Sequence, residues 1–401
     1  MTYFIKTFGC QMNEADSEAL AAVLEEQGYE LAEKVEEADV VVVNSCSVRE
    51  SAENRVFGLV NNLGQQENRP KIVLTGCMVG SATPDRRRYS LPQLKKRLPA
   101  VDHFIPNDTQ QLPKLSTALR RTVEVPSYRP YTASSAVEGW VVGGRISATG
   151  SVPIMRGCDH FCSYCVVPYA RGKEVSRPFD EVAEEVSQLA RRGCKEVLLL
   201  GQNVNSYGRN SNVKAPPATP SDSEGGRGQN AKVQLKVKNL EKFKTPFALL
   251  LAVLHEIPGL EKISFLTSNP WDLTDDIIEA MSLPKIDRYL HLPVQSGDDE
   301  ILKKMNRPYT VEEYLALVGK IRKRIPDIEI GTDLIVGFPG ETKAQFENTV
   351  KLCREVGFVK AYISRYSPRP GTAAFRLKDD ISPDEKRRRW WVLENLVNQN
   401  R

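Results

Sequence analysis

Three cysteines lie within one short stretch of this chain, and no other feature of the sequence restricts the fold so strongly. Cys158, Cys162 and Cys165 follow the spacing CxxxCxxC. Three thiols so close together indicate metal binding, because packing alone does not need them. A structural zinc site takes four ligands, usually from two separated CxxC pairs, and no second pair lies near this stretch. A 4Fe–4S cluster can be held by three thiolates, which leaves one iron open to another ligand.

The composition is that of an ordinary soluble globular protein. The chain has 401 residues, 41% of them hydrophobic and 26% charged, which is enough for two or three domains with proper cores. The net charge of +4 permits a nucleic-acid partner without requiring one.

The sequence shows no sign of export or of membrane insertion. The N-terminus leads directly into a strand pattern and lacks the apolar stretch of a signal peptide. The longest apolar run, Phe247 to Leu254, is too short to span a bilayer. We therefore expect a cytoplasmic protein with no membrane partner, whose cysteines are reduced and available to bind metal.

The first part of the chain alternates strands and helices, and each of three strands is followed by a cysteine. The strands are predicted at Tyr3–Phe8, Asp39–Val43 and Lys71–Thr75, with a helix at Ser17–Gln27 after the first. The cysteines are Cys10, Cys46 and Cys77. Because the carboxyl ends of parallel strands share one edge, this pattern predicts a second site with three thiolates. The alternative is that all three are inert core residues, a common fate of free cysteine.

The second part of the chain contains six units of a strand followed by helical sequence. Its strands are predicted at Ser151–Arg156, Glu196–Leu200, Lys262–Thr267, Arg288–Pro293, Glu329–Val336 and Val359–Tyr366. Six such units predict an open, partial TIM barrel, with its site at the carboxyl ends of the strands. The fold class is therefore α/β, with a parallel-sheet domain followed by the partial barrel.

The CxxxCxxC stretch, with Tyr164 directly before its last cysteine, resembles the signature of the radical S-adenosylmethionine (SAM) superfamily. The resemblance implies that the open iron binds SAM and that the reduced cluster cleaves SAM to a 5′-deoxyadenosyl radical. The partial barrel is also the core fold of that superfamily, so the strand pattern and the resemblance agree.

Two further sequence motifs are similar to motifs in the N-terminal domain of the methylthiotransferases, and within that family to those of the MiaB-type tRNA branch. They are Gly-Cys-Gln-Met-Asn at 9–13 and Asn-Ser-Cys-Ser-Val-Arg-Glu at 44–50. This resemblance implies that Cys10, Cys46 and Cys77 hold an auxiliary 4Fe–4S cluster. The expected cofactors are thus two 4Fe–4S clusters and SAM.

Loops that follow the predicted barrel strands resemble the SAM- and substrate-facing loops of the same branch. On this basis the residues expected to contact SAM or the substrate are Tyr164, Gln202, Gln295, Ser296 and Arg369. One departure is Asn269, which stands where the family usually has histidine.

The function implied by the resemblance is methylthiolation at C2 of N6-isopentenyladenosine at position 37 of tRNA. The expected partners are tRNA and a low-potential electron donor such as flavodoxin or ferredoxin. Two alternatives stay open: a methylthiotransferase acting on threonylcarbamoyladenosine or on a ribosomal protein, and a non-catalytic iron–sulfur electron carrier.

The predicted domains are 1–125 for the auxiliary-cluster domain, 126–150 for a linker and 151–380 for the radical SAM domain, with a flexible insertion at about 206–244. Residues 381–401 are predicted to begin a helix that, in the family, leads into a TRAM domain, which is absent from this sequence. Its start is marked by Ser382 as cap and Pro383 at the first position.

Some conspicuous residues have plainer interpretations. The run Arg86–Arg88 could touch RNA phosphates, but a solvated surface is favoured. His160 is predicted to lie on the surface of the cluster loop rather than to act as a ligand. Cys194 and Cys353 are predicted to be packing residues.

Overall fold

The computed structural model describes residues 1–48, 50–82, 87–106, 141–142, 145–146, 149–209 and 240–399. The chain forms two compact units. The first unit contains Met1–Arg145, Arg156–Glu174 and Arg369–Phe375; the barrel unit contains Ile146–Met155, Val175–Pro368 and Arg376–Arg401. Most of the predicted linker 126–150 and of the predicted insertion 206–244 lies outside the described residues.

A parallel sheet of five strands forms the centre of the first unit. The strands are β1 (Thr2–Phe8), β2 (Glu30–Leu31), β3 (Val40–Ser45), β4 (Lys71–Gly76) and β5 (His103–Phe104). Their order is β2-β1-β3-β4-β5, and all neighbouring pairs are parallel. The three strands predicted from the sequence are confirmed close to their predicted bounds.

The valine run of β3 is buried on both faces of this sheet, as expected for a central parallel strand. Val41 and Val43 pack in a cluster with helix Glu50–Gly64 on one face, and Val40 and Val42 pack with helix Gln11–Glu26 on the other. The first unit's remaining described α-helices are Cys77–Gly80, Leu91–Arg97 and Val167–Ala170.

The helix predicted at Ser17–Gln27 begins earlier, at Gln11, so its predicted start is wrong. The added turns contain polar side chains, and several of them are buried, among them Asn13 and Asp16. A search for apolar periodicity cannot find such turns, because their buried face is made of side chains that satisfy one another by hydrogen bonds and ion pairs.

Six parallel strands form the barrel unit in sequence order. They are β8 (Thr149–Pro153), β11 (Glu196–Leu200), β12 (Lys262–Phe265), β13 (Tyr289–His291), β14 (Glu329–Val336) and β15 (Lys360–Arg365). β11 pairs with both β8 and β12, and β14 pairs with both β13 and β15. An isolated parallel bridge from Ile263 to Ile286 lies between the two sets of three. This arrangement confirms the predicted open, partial barrel.

Four short strands complete the described set: β6 (Val141–Val142), β7 (Arg145–Ile146), β9 (Met155–Arg156) and β10 (Val175–Ser176). The strand predicted at Ser151–Arg156 is thus two strands, β8 and β9, separated at Ile154. β8 is the edge of its sheet, where a terminal proline such as Pro153 is tolerated.

Helices follow most of the barrel strands. Their bounds are Phe179–Arg191, Pro246–His255, Asp275–Met281, Asp299–Lys304, Val311–Arg324, Lys343–Val356 and Pro383–Glu394, and a π-helical turn follows at Asn395–Gln399. The predicted C-terminal start is confirmed, since Ser382 Oγ accepts the Glu385 N–H at 3.2 Å. Within the described part of the chain, no helix combines the length and apolar character that a membrane span requires.

Candidate functional site

The carboxyl ends of β1, β3 and β4 lie in register at one edge of the first unit's sheet. Phe8 pairs with Ser45, and Ser45 pairs with Gly76. The backbone N–H of Cys46 donates to the Phe8 carbonyl oxygen at 2.7 Å. The cysteines that follow these strand ends are Cys10, Cys46 and Cys77. The fold therefore places the three cysteines at the same edge.

Two buried asparagines join the segment of the first cysteine to that of the second. Asn13 Nδ2 donates to Asn44 Oδ1 at 3.0 Å, and Asn44 Nδ2 donates to the Asn13 carbonyl oxygen at 2.8 Å. Asn13 Oδ1 also lies 3.5 Å from both the backbone nitrogen and the Sγ of Cys10. Cys10 directly precedes the first turn of helix Gln11–Glu26.

Cys77 is positioned by two glycines that allow close backbone approach. Gly76 has a φ of 89°, and a Cβ there would lie 2.4 Å from the Ser45 carbonyl oxygen. At the other end of helix Cys77–Gly80, a Cβ on Gly80 would lie 2.0 Å from the Ala170 carbonyl oxygen. Ala170 ends the short helix that follows the CxxxCxxC stretch. The Cys77 helix therefore packs directly against the helix that follows the CxxxCxxC stretch, within the first unit.

Gly80→Ala is expected to lower the free energy of unfolding of the first unit by about 1–3 kcal/mol, because the new methyl group must displace the Ala170 backbone. The matched control is Gly58→Ala in helix Glu50–Gly64, where a Cβ meets nothing within 4 Å. There alanine should raise stability by about 0.5–1 kcal/mol through helix propensity. Urea unfolding followed by far-ultraviolet circular dichroism compares the two; equal shifts would contradict the close approach at Gly80.

The CxxxCxxC stretch is a loop closed on itself by backbone contacts. The Cys158 N–H donates to the Gly172 carbonyl oxygen at 3.2 Å, and the Cys165 N–H donates to the Cys162 carbonyl oxygen at 2.9 Å. Gly157, with a φ of 79°, lies so close to the Lys173 carbonyl that a Cβ would clash. Tyr164 is partly buried in the turn between the last two cysteines, and His160 is partly buried as well.

A buried ion pair connects this loop to the helix that follows Cys10. Arg171 Nη2 lies 2.9 Å from Asp16 Oδ2, and the two side chains are 3% and 7% exposed. Burial alone would lower the pKa of Arg171, but the attraction of Asp16, and then of the Cys77 and Cys10 thiols, outweighs burial and raises that pKa above its usual value. The guanidinium is therefore held in its charged form, and both thiols contribute to its stabilisation.

A second network links Arg88, Glu53 and Arg369. Arg369 Nη2 lies 2.8 Å from Glu53 Oε1, and Arg88 Nη1 lies 4.0 Å from the same oxygen. Arg88 Nε also donates to the Pro370 carbonyl oxygen at 2.8 Å. The Arg88 side chain is only 2% exposed, so the surface interpretation of the arginine run is wrong at this position. Arg87 is exposed as expected, and Arg86 lies outside the described residues.

Arg369 makes contacts within the protein in addition to the SAM or substrate contact predicted for it. Its guanidinium also donates to the Ser47 carbonyl oxygen, one residue after Cys46, and the residue is 7% exposed. The SAM or substrate contact of Arg369 stays a prediction.

The thiol sets differ from a site for a single metal ion. Among the described residues, no group of three or more His, Cys, Asp or Glu side chains is placed to hold a single metal ion. A cuboidal cluster demands a different arrangement, since each thiolate binds a separate iron. Burial raises the pKa of the Cys158 thiol to about 12, and Cys162 adds to the rise, so the metal must displace a proton there.

The donor chemistry fits two clusters of three thiolates each. Cys10, Cys46 and Cys77 follow neighbouring strand ends, and two of these thiols help to stabilise the charge of the buried Arg171 guanidinium. The two other cysteines are accounted for by packing. Cys194 is fully buried and Cys353 is 3% exposed, which confirms the prediction for both.

In the barrel unit, the predicted contact residues lie just past strand ends. Gln202 follows β11 and is partly buried, while Gln295 and Ser296 follow β13 and are buried. Ser296 Oγ accepts the Asp298 N–H at 3.3 Å at the start of helix Asp299–Lys304, so its hydroxyl also supports that helix. Contacts of these three residues with SAM or substrate stay predictions.

Two residues at the same strand ends have left-handed backbone conformations without being glycine. Thr267, after β12, has a φ of 66°, and Gln295 has a φ of 70°. Such conformations cost about 1–3 kcal/mol each and cluster at functional sites. The backbone conformation of Thr267 could not be predicted, because threonine is an ordinary turn residue and carries no sign of an unusual φ.

Asn269, which departs from the family's usual histidine, ties together the loops after β11 and β12. Its Nδ2 donates to Asp272 Oδ2 at 2.9 Å and also to Asn203 Oδ1, and its Oδ1 accepts the Asp272 N–H at 2.8 Å. Asn205 Nδ2 donates to the Asn269 carbonyl oxygen at 2.8 Å. All four side chains are buried, so Asn269 has a structural role here.

Residues 152–353 match the radical SAM superfamily, and residues 2–104 match Uncharacterized protein family UPF0004. A protein of Clostridium botulinum (strain Okra / Type B1) called tRNA-2-methylthio-N(6)-dimethylallyladenosine synthase is 40% identical to this chain; the match covers 99% of this chain and 81% of the relative. This chain belongs to that family, within the radical SAM superfamily.

A second synthase of the family, from Dehalococcoides mccartyi (strain CBDB1), is 41% identical over 98% of this chain and 82% of its own length. Among solved structures, the radical SAM methyltransferase TsrM from Kitasatospora setae has a TM-score of 0.59 at 15% identity, covering 93% of this chain and 76% of TsrM. That likeness shows the fold. The radical SAM enzymes use SAM and 4Fe–4S clusters, and MiaB-type synthases carry two clusters.

Proposed function

We propose that this chain is a methylthiotransferase that inserts sulfur and a methyl group at C2 of N6-isopentenyladenosine at position 37 of tRNA. The product is 2-methylthio-N6-isopentenyladenosine. The observation that carries the proposal is the 40% identity over 99% of the chain to relatives named as synthases of this modification. Both cysteine triplets expected for the reaction are present within that match.

The two triplets take different roles. Cys158, Cys162 and Cys165 would hold the cluster that binds SAM, and Cys10, Cys46 and Cys77 would hold the auxiliary cluster. When bound, these groups supply the radical and the sulfur, which the protein side chains cannot provide. We further propose Tyr164, Gln202, Gln295, Ser296 and Arg369 as contacts of SAM or of the substrate.

The target bond explains why such chemistry is needed. The C2–H bond of adenine has no acidic proton and C2 carries no leaving group, so general acid–base catalysis by side chains cannot activate it. The chain's own task is to hold the ligands, orient the base and exclude water. Of the predicted domains, 1–125 would hold the auxiliary cluster and 151–380 would bind SAM. The CxxxCxxC loop of the second domain belongs to the first compact unit.

The partners follow from the same proposal. The substrate is tRNA, and the electron donor is a low-potential carrier such as flavodoxin or ferredoxin. We place the reaction in the cytoplasm, where tRNA is present and thiols stay reduced.

Expression of this chain in a host that lacks its own methylthiotransferase is expected to produce 2-methylthio-N6-isopentenyladenosine, measured by mass spectrometry of tRNA nucleosides. The matched control is the same chain with Cys46→Ala, which should leave N6-isopentenyladenosine unmodified. Methylthiolated threonylcarbamoyladenosine in place of the expected product would favour the alternative tRNA substrate. If neither product formed from a chain that cleaves SAM, the tRNA substrate would be wrong.

A further inference from the structure

Arg171 lies between two segments that carry cysteines of the auxiliary set. Its ion-pair partner Asp16 belongs to the helix that begins directly after Cys10. Arg171 itself directly follows helix Val167–Ala170, whose last carbonyl meets the end of the Cys77 helix at Gly80. The ion pair with Asp16 and the close approach at Gly80 therefore hold Arg171 against the segments that carry both cysteines.

Asp16 accepts a hydrogen bond from only one of the two terminal nitrogens of Arg171. Among the described residues, its Nη1 atom is buried and has no hydrogen-bond partner, while Nη2 donates to Asp16. A buried polar nitrogen without a partner is costly and calls for an acceptor or an anion. The Cys77 and Cys10 thiols are the next groups that stabilise the cation after Asp16.

We infer that Arg171 sets the reduction potential of the cluster held by Cys10, Cys46 and Cys77, an inference that rests on the ligand sets of the proposed function. Reduction adds one electron to an already anionic cluster and its thiolates. A buried cation nearby stabilises the reduced state more than the oxidised state and so raises the potential. Asp16 has the opposite effect, so the ion pair determines how much positive charge acts on the cluster.

The test uses the full-length chain, reconstituted anaerobically with iron and sulfide and titrated with dithionite, with the reduced clusters followed by electron paramagnetic resonance. Cys46→Ala assigns the auxiliary signal by its loss. Arg171→Gln is expected to lower the potential of the auxiliary cluster and to leave that of the SAM-binding cluster unchanged. Asp16→Asn is expected to raise the auxiliary potential, and Arg171→Lys, which keeps the charge, to return it toward that of the unaltered chain.

The matched control is Arg389→Gln, which breaks another buried ion pair. Arg389 Nη1 lies 2.6 Å from Glu341 Oε2 in the barrel unit, and these side chains are 4% and 1% exposed. A shift of the auxiliary potential in this variant equal to that of Arg171→Gln would overturn the inference, as would no shift in Arg171→Gln. If Arg171→Gln does not fold, Asp16→Asn decides by the direction of its shift, and a fall would overturn the inference.

This test separates the inference from the proposed function, because it needs neither tRNA nor turnover. A chain with the predicted opposite shifts but no methylthiolated product would support the role of Arg171 and contradict the tRNA reaction. A chain that assembles only one cluster would overturn the ligand assignment and the inference together.

Discussion

Cys158→Ala is expected to abolish the reductant-dependent formation of 5′-deoxyadenosine from SAM, leaving only the level seen without protein. Cys158 is one of three thiols on the closed loop that we propose to bind the SAM cluster, and three thiolates leave no substitute ligand there. The measurement is liquid chromatography of 5′-deoxyadenosine after incubation of anaerobically reconstituted protein with SAM and dithionite.

The matched variant is Cys46→Ala, at the edge of the first unit's sheet. It should retain formation of 5′-deoxyadenosine while it loses methylthiolation of tRNA, because the two triplets have separate tasks. Loss of SAM cleavage in Cys46→Ala protein that keeps its other cluster would contradict this division. The absence of cleavage in well-reconstituted unaltered protein would favour the non-catalytic electron carrier.

The sequence predicted the strands well because burial on both faces leaves a clear mark. The valine run that became β3 and the leucine-rich run that became β11 have few polar residues, so their positions follow from composition and length. The parallel order then places Cys10, Cys46 and Cys77 at one edge, since strand ends in a parallel sheet coincide. The target position on adenosine came only from the family resemblance, because no residue pattern encodes it.

The polar contacts that hold the candidate site together could not be predicted in the same way. Arg171 and Asp16 are 155 positions apart in the sequence, and Arg369 lies 322 positions from Ser47, so no local pattern links either pair. The same cause explains two wrong predictions, the late start of helix Gln11–Glu26 and the exposure of Arg88. In both places charged or polar residues are buried because a distant partner satisfies them, whereas composition alone predicts that such residues are exposed.

Glu53→Gln is expected to destabilise the first unit by about 3 kcal/mol, because it leaves two buried arginines without their shared carboxylate. Glu53 Oε1 lies 2.8 Å from Arg369 and 4.0 Å from Arg88, whose side chains are 8% and 2% exposed. Hydrogen exchange measured by mass spectrometry should show faster exchange in peptides covering β3 and β4, by roughly 100-fold, since each 1.4 kcal/mol corresponds to a factor of about ten.

The control for this loss of charge is Glu261→Gln, which breaks an exposed ion pair. Lys195 Nζ lies 2.8 Å from Glu261 Oε1, and these side chains are 53% and 66% exposed, so the variant should change stability by less than about 1 kcal/mol. Similar exchange rates in the two variants would mean that the Glu53 network contributes no more than a surface pair. Faster exchange confined to the first unit of the Glu53 variant would instead show that a carboxylate seven residues after Cys46 stabilises the sheet edge that presents the cysteines.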